Sequence, residues 1–166
     1  DFNNFRRLVT KLCQRDIAAV CIEDKVFPKT NSFLDGDQSL ADVNEFCGNI
    51  RAGKDSQTDP DFRIIARTEA FIAGRSRAEA LDRACAYVEA GADGILVHSR
   101  MSTAEQILGF AAEWEGLAPL LIVPTKYYTT PVALFRKAGI SIVIWANHAL
   151  RASISAMRDV ARQIFT

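Results

Sequence analysis

Residues 21–36 read CIEDKVFPKTNSFLDG. Ahead of them an apolar run, Ile17 to Ile22, ends abruptly in Glu23-Asp24-Lys25, and a polar loop follows with Pro28, Lys29, Thr30, Asn31, Ser32, Asp35 and Gly36. Strands covered on both faces are near-continuously apolar, so the run reads as a buried parallel strand with an ionised exit. Two carboxylates and a lysine at a strand's carboxyl end, followed by a loop of hydrogen-bonding side chains, suit a cation site beside a mobile lid. They suit a solvated turn equally well, and the rest of the chain has to decide.

On the amino-terminal side, Asn3 and Asn4 are candidate caps for a helix whose apolar face is Phe5, Leu8, Val9 and Leu12. On the carboxyl side, Ser39-Leu40-Ala41-Asp42 resembles a capping box opening a helix with Val43, Phe46, Cys47 and Ile50 on one face. Asp59-Pro60-Asp61 stops it, and Phe62 to Ala66 is a second strand that ends in Arg67-Thr68-Glu69. Ser76-Arg77-Ala78-Glu79 is a further box, before a helix with Leu81, Ala84, Cys85 and Val88 inward; Gly94 to Val97 follows as a strand and ends in His98-Ser99-Arg100. The box recurs at Ser102 to Glu105, before a helix with Ile107, Phe110, Ala111 and Trp114 inward. Leu120 to Val123 is the fourth strand, Thr130-Pro131 starts a short helix that Gly139 closes, and Ile140 to Trp145 is the fifth strand, exiting into Asn147-His148. A last helix carries Leu150, Ile154, Met157, Ala161 and Ile164 on its inner face.

Strand and helix thus alternate five times, the signature of parallel βα construction. A doubly wound five-stranded sheet would be complete at 166 residues, whereas an eight-unit barrel of about 250 residues would leave three units outside the chain. Periodicity does not choose between them. The strand exits say more: Glu23-Asp24, Arg67-Thr68, His98-Ser99, Thr125-Lys126 and Asn147-His148 are all polar, while the strand interiors are aliphatic. In a barrel such exits converge on one face; in an open sheet only those beside the switch point share a crevice. Each residue alone could merely solvate a loop. Together they suggest a site for an anionic ligand, with Arg67, His98 and Lys29 as donors and Glu23 holding a cation.

Composition narrows the classes. The chain is 49% hydrophobic and carries 20 basic against 20 acidic residues, so one domain over residues 1–166 with one good core is expected, and no net field holds a nucleic acid or an anionic membrane. The cysteines Cys13, Cys21, Cys47 and Cys85 form no C-x-x-C pair and fall in apolar patterns, which points to buried free thiols and a reducing, cytoplasmic setting. No phosphate-binding glycine loop, dinucleotide fingerprint or G-x-S-x-G elbow is present.

EDKVFPKTNS (Glu23 to Ser32) resembles the phosphoenolpyruvate mutase branch of the isocitrate lyase and phosphoenolpyruvate mutase superfamily. The resemblance continues through KDSQTD (Lys54 to Asp59), ARTEAFIAG (Ala66 to Gly74), AGADGILVHS (Ala90 to Ser99), VPTKYY (Val123 to Tyr128) and VIWANHALRAS (Val143 to Ser153). ARTEA or AGAD alone would indicate only the superfamily; the combination is specific. It implies an α/β fold, a (β/α)8 barrel of the TIM type in which this single partial domain supplies strands four to eight, the earlier units lying outside it. It also implies Mg2+ as cofactor, held mainly by aspartates upstream of Asp1, with Glu23 reaching the metal through water. Lys29, Asn31 and Ser32 fall in the family's gating loop, and Arg67 and His98 face the phosphoryl group. The implied activity is isomerisation of phosphoenolpyruvate to phosphonopyruvate in phosphonate biosynthesis, on a small-molecule substrate, by a homo-oligomer when full length.

Three other readings stand beside it. Carbon–carbon lyases of the superfamily carry a cysteine in a K-x-C-G-H loop, where this chain has Lys29-Thr30-Asn31-Ser32-Phe33. Phosphonopyruvate hydrolase shares the barrel and departs at the position of Asn31. Five βα units without the metal aspartates could also be a non-catalytic folding or interaction module.

Overall fold

The computed structural model describes residues 2–34, 36 and 38–165. Asp35, read above as part of the polar loop, and Asp1 lie outside them. The elements run α1 (Phe2–Cys13), β1 (Ala19–Glu23), α2 (Val43–Asp55), β2 (Arg63–Thr68), α3 (Arg77–Glu89), β3 (Gly94–Val97), α4 (Glu105–Glu113), β4 (Leu120–Ile122), α5 (Val132–Lys137), β5 (Ile142–Val143) and α6 (His148–Phe165).

The five strands form one sheet in the order β1-β2-β3-β4-β5, every neighbouring pair parallel. Chain order and spatial order coincide, so there is no point at which the winding reverses. A doubly wound sheet requires that reversal, and a barrel forbids it. The architecture is therefore that of five consecutive βα units of a barrel, and the open-sheet alternative falls away.

Alternation along β2 sets the two faces. Ile64, Ala66 and Thr68 are buried and pack toward the helices, while Arg63, Ile65 and Arg67 are turned the other way. The main core lies on the helical side, where Phe46 and Ile50 of α2, Ala84 and Tyr87 of α3, and Ile107 and Phe110 of α4 meet Ala66, Ile95, Val97 and Ile122 of the sheet. A smaller cluster joins Phe5, Val9 and Cys13 of α1 to Phe62 and Ile64. The Asp93 carboxylate ties the other end of the sheet together, accepting from Lys54 Nζ at 2.9 Å and from the Ile64 N–H at 2.7 Å. The motifs around Lys54 and Asp93 thus build the end opposite the strand exits, where stability rather than chemistry is served.

Several expectations are corrected. Asn3 and Asn4 lie inside α1, not at its cap, and Leu8 is exposed; Phe5, Val9 and Cys13 form the buried face. The cap of α2 is Asp42, which accepts from the Asn44 and Glu45 N–H groups, because Leu40 is held in an antiparallel bridge to Lys25 and cannot enter a helix. Ser76 caps α3 as expected, accepting from the Glu79 N–H, but α4 starts after Ala104 with no side-chain cap. Cys21 is exposed rather than buried, because among the described residues β1 is an edge strand, paired to β2 alone. At the other edge β5 is two residues long, and Ile142, Ile144 and Trp145 are exposed. The apolar stripe of α6 faces solvent: none of its residues is buried, and Leu150, Ile154, Met157 and Ile164 have no surface among the described residues to cover them. Among the described residues no helix is long and apolar enough to cross a membrane.

Candidate functional site

Parallel pairing of β1 with β2 sets Glu23 beside Arg67, and β3 delivers His98 one residue beyond its end. Period-2 alternation then returns Glu69 to the side of Arg67, two residues on. The four side chains meet at the carboxyl ends of the strands. Arg67 Nε donates to Glu69 Oε1 at 2.6 Å and lies 3.3 Å from Glu23 Oε2. His98 Nδ1 is 2.7 Å from the same Glu69 oxygen and 2.8 Å from Arg67 Nη2.

Nδ1 cannot serve both neighbours, since Arg67 only donates. The carboxylate fixes the proton on Nδ1, so His98 donates to Glu69 and the Arg67 approach is a close contact rather than a second hydrogen bond. That leaves His98 Nε2 and Arg67 Nη1 outside these contacts. A phosphoryl group offers several acceptor oxygens, and a guanidinium edge beside the Nε2–H of a doubly protonated imidazole matches it.

Glu69 was not singled out from the sequence, and it is the centre of the cluster. It is fully buried, and both oxygens are used: Oε1 by Arg67 and His98, Oε2 by the Ser32 hydroxyl at 2.5 Å. Burial works against its charge, but the hydrogen bond and charge of His98, then those of Arg67, outweigh it and hold the carboxyl at about 2. The signal that could have found it is the R-x-E spacing at a strand end, which puts two side chains on one face.

Asp24, paired with Glu23 in the sequence reading as a possible cation ligand, points elsewhere. It is fully buried, accepting from the Glu69 N–H at 2.8 Å and the Tyr87 hydroxyl at 2.6 Å, with Arg83 Nη1 at 3.5 Å. Desolvation raises its pKa, against the pull of these donors. Its work is to fix the main chain that aims Glu69.

The loop after β1 lies down on this cluster. Its neck is closed by the Lys25–Leu40 bridge and the Val26 N–H to Ser39 carbonyl bond, and Lys25 Nζ donates to the Thr30 carbonyl at 2.5 Å. Ser32 is buried against Glu69 and 3.4 Å from Arg67 Nη2. The Phe33 ring meets the His98 ring edge to face at 5.3 Å, and Lys126 Nζ lies over the Phe33 ring, 5.5 Å from its centroid. Lys29 Nζ lies 3.3 Å from Glu23 Oε1. Thus Lys29, Ser32, Arg67, His98 and Glu23 are brought together. Asn31 is not: it is exposed, and its Oδ1 accepts the Phe33 N–H at 2.9 Å in a local Asx turn. Of the remaining exits, Lys126 meets the cluster at Phe33. Around the fifth exit, the rings of Tyr128 and Trp145 flank His148.

Among the described residues no group of three metal-ligating side chains exists. Asp24 and Glu69 have both oxygens committed, which leaves Glu23, whose oxygens face Lys29 and Arg67 at 3.3 Å each. One loosely paired carboxylate fits an outer contact to a hydrated Mg2+, an ion that keeps several of its waters, and does not by itself make a metal site.

The phosphoenolpyruvate phosphomutase family model matches residues 1–165. A phosphoenolpyruvate phosphomutase of Tetrahymena pyriformis is 55% identical over 166 residues, covering 99% of this chain and 55% of that protein. The crystal structure of a phosphoenolpyruvate phosphomutase from Streptomyces platensis subsp. rosaceus superposes with a TM-score of 0.92 at 47% identity, over 99% of this chain and 57% of the other. A phosphonopyruvate hydrolase crystallised with oxalate and Mg2+ superposes at 0.85 and 41% identity, over 99% and 56%. The chain spans about half the length of each of these relatives. With a family match along nearly every residue and the same five-unit arc of sheet, the chain belongs to the phosphoenolpyruvate phosphomutase family.

Proposed function

We propose that the protein carrying this chain is an isomerase, interconverting phosphoenolpyruvate and phosphonopyruvate with Mg2+. The observation that carries the reading is the loop Lys29-Thr30-Asn31-Ser32 seated over the Arg67–Glu69–His98 cluster. A cysteine in that loop would suit carbon–carbon cleavage; none is there.

In the proposed reaction the phosphorus–oxygen bond of phosphoenolpyruvate breaks with its electron pair moving to oxygen. The resulting enolate carbon attacks phosphorus, so a P–C bond replaces a P–O bond with no net proton or water exchanged. Transfer through a loose, metaphosphate-like state needs positioning and charge neutralisation more than a covalent nucleophile. Arg67 Nη1 and, in the doubly protonated ring, the His98 Nε2–H would donate to phosphoryl oxygens, and the seated loop would exclude water that could trap the migrating group as phosphate. Bound Mg2+, reached by Glu23 through water, would lower the energy of negative charge on the enolate oxygen.

Similarity to a phosphonopyruvate hydrolase keeps a second reading open, in which water rather than the enolate carbon receives the phosphoryl group. Phosphorus NMR of the full-length protein with phosphonopyruvate and Mg2+ separates the two. Phosphoenolpyruvate as product supports the mutase; inorganic phosphate with pyruvate supports the hydrolase. We further place the protein in the cytoplasm as a homo-oligomer without nucleic-acid or membrane partners, supported by the balanced net charge, the free cysteines and the uncovered apolar stripe of α6.

A further inference from the structure

We infer that Glu69 is a positioning residue that latches the loop: by accepting the Ser32 hydroxyl on one oxygen and Arg67 with His98 on the other, it makes loop closure and the orientation of the two phosphoryl donors a single event. The functional half of this inference rests on the mutase reading above; the latch itself does not.

The argument starts from burial. Glu69 has no exposed surface, so its two oxygens depend on protein donors. Oε1 has two, Arg67 Nε at 2.6 Å and His98 Nδ1 at 2.7 Å; Oε2 has the Ser32 hydroxyl at 2.5 Å. Lifting the loop strips Oε2 of that donor while the rest of the carboxylate stays packed, and an ionised oxygen that loses a charge-assisted hydrogen bond is costly. The cost favours the seated loop before any ligand arrives. Phe33 follows Ser32 onto His98, so the same movement that removes the hydroxyl also removes the ring that packs against the imidazole.

Rigidity comes from behind. The Asp24 carboxylate holds the Glu69 N–H and is itself held by Tyr87 and Arg83 of α3. Glu69 therefore cannot follow the loop outward, and closure is read against a fixed point on the barrel wall. The arrangement links three segments far apart in sequence: the loop, the end of β2 and the end of β3.

The test uses the full-length protein with Ser32→Ala, Glu69→Asp and Glu69→Gln. Hydrogen exchange of the backbone amides of residues 26–34 is followed beside those of α3 and β3, and phosphonopyruvate turnover is assayed by phosphorus NMR. Ser32→Ala should speed exchange in the loop by about tenfold or more and leave α3 and β3 unchanged, as expected for loss of a hydrogen bond to a charged group. Glu69→Gln should speed loop exchange too and lower kcat more than it raises KM, because donor orientation matters most in the transfer. Glu69→Asp keeps the charge one methylene short and should recover part of the loop protection that Glu69→Gln loses. Unchanged loop exchange in Ser32→Ala overturns the latch, and so does a uniform rise across loop, α3 and β3 in the Glu69 variants. Should Glu69→Gln not fold, Ser32→Ala decides alone. Absence of any turnover by the unmodified protein would remove the mutase reading while leaving the exchange result to judge the latch.

Discussion

Asp24 Oδ1 accepts the backbone N–H of Glu69 at 2.8 Å, so one buried carboxylate fixes the main chain from which another is aimed. The second oxygen of Asp24 takes the Tyr87 hydroxyl at 2.6 Å, and Arg83 approaches it at 3.5 Å. Removing the side chain in Asp24→Ala would strand the Glu69 N–H and the Tyr87 O–H as buried donors, while Arg83 keeps Glu79 and the Ala41 carbonyl. With two buried donors left unpaired, a loss of about 2–4 kcal/mol in unfolding free energy is expected. Asp24→Asn keeps an acceptor for Glu69 and can still bond Tyr87, so its loss should be far smaller. Denaturant melts of the two variants check the ordering.

Glu69 gives a pH signature. Its folded carboxyl sits at about 2, below the ordinary 4.5, so the folded state binds its proton less readily than the unfolded chain does. The stability this contributes is present in full above about pH 4.5 and is lost as pH falls toward 2. The gap between wild type and Glu69→Gln should be on the order of 3 kcal/mol at pH 7 and shrink steadily below pH 4.5. Urea titrations at a series of acid pH values test this; a gap independent of pH contradicts the assignment of the charge.

Arg67 is held by Glu69 and Glu23 so that one guanidinium nitrogen, Nη1, is left for a ligand. Arg67→Ala should cost about a hundred- to a thousandfold in kcat/KM, the scale seen when one preorganised donor is removed from developing charge. Arg67→Lys should recover little, because an ammonium cannot bond Glu69 and the phosphoryl oxygens in the same fork geometry. Steady-state kinetics of both variants, with circular dichroism to confirm folding, are the measurement.

What the sequence disclosed and what it hid follow the range of the forces involved. Local patterns held where the local interaction was strongest: Ser76 bonds the Glu79 N–H as a capping box should. The same pattern at Ser39 failed because a bridge between Lys25 and Leu40, set by the loop's closure, takes the backbone first. At Ser102 it failed too: α4 starts after Ala104 with no side-chain cap. The apolar stripe of α6 was legible as a stripe, but a stripe does not say what covers it. Arg67, His98 and Glu23 were visible as polar strand exits, since alternation and parallel winding carry them to one face. Glu69 was passed over because its importance lies in partners 29 and 37 residues away, His98 and Ser32, which no window around β2 contains.

The last prediction concerns Asn31, which the resemblance places in the gating loop and the structure places in an Asx turn, with Oδ1 on the Phe33 N–H. The two roles use different halves of the amide. Turn-making needs only the oxygen; donation to a migrating phosphoryl group needs the nitrogen. Asn31→Asp preserves the first and destroys the second, and it adds negative charge beside a negatively charged group. If Asn31 serves only the turn, Asn31→Asp should keep near-normal turnover while Asn31→Ala, which loosens the loop ahead of Phe33, should not. If the amide swings onto the substrate, Asn31→Asp should be the worse variant, with kcat reduced about a hundredfold or more and substrate affinity less affected, since binding also draws on Arg67 and His98. A loosened loop has a separate readout, because water then competes for the phosphoryl group. Replacing Thr30 to Ser32 with glycines should raise the phosphate released per turnover, and Asn31→Ala should do so to a smaller degree. Phosphorus NMR reads rate and partition in one experiment. Normal rates and no extra phosphate from all three variants would make the loop a surface turn with no part in the chemistry.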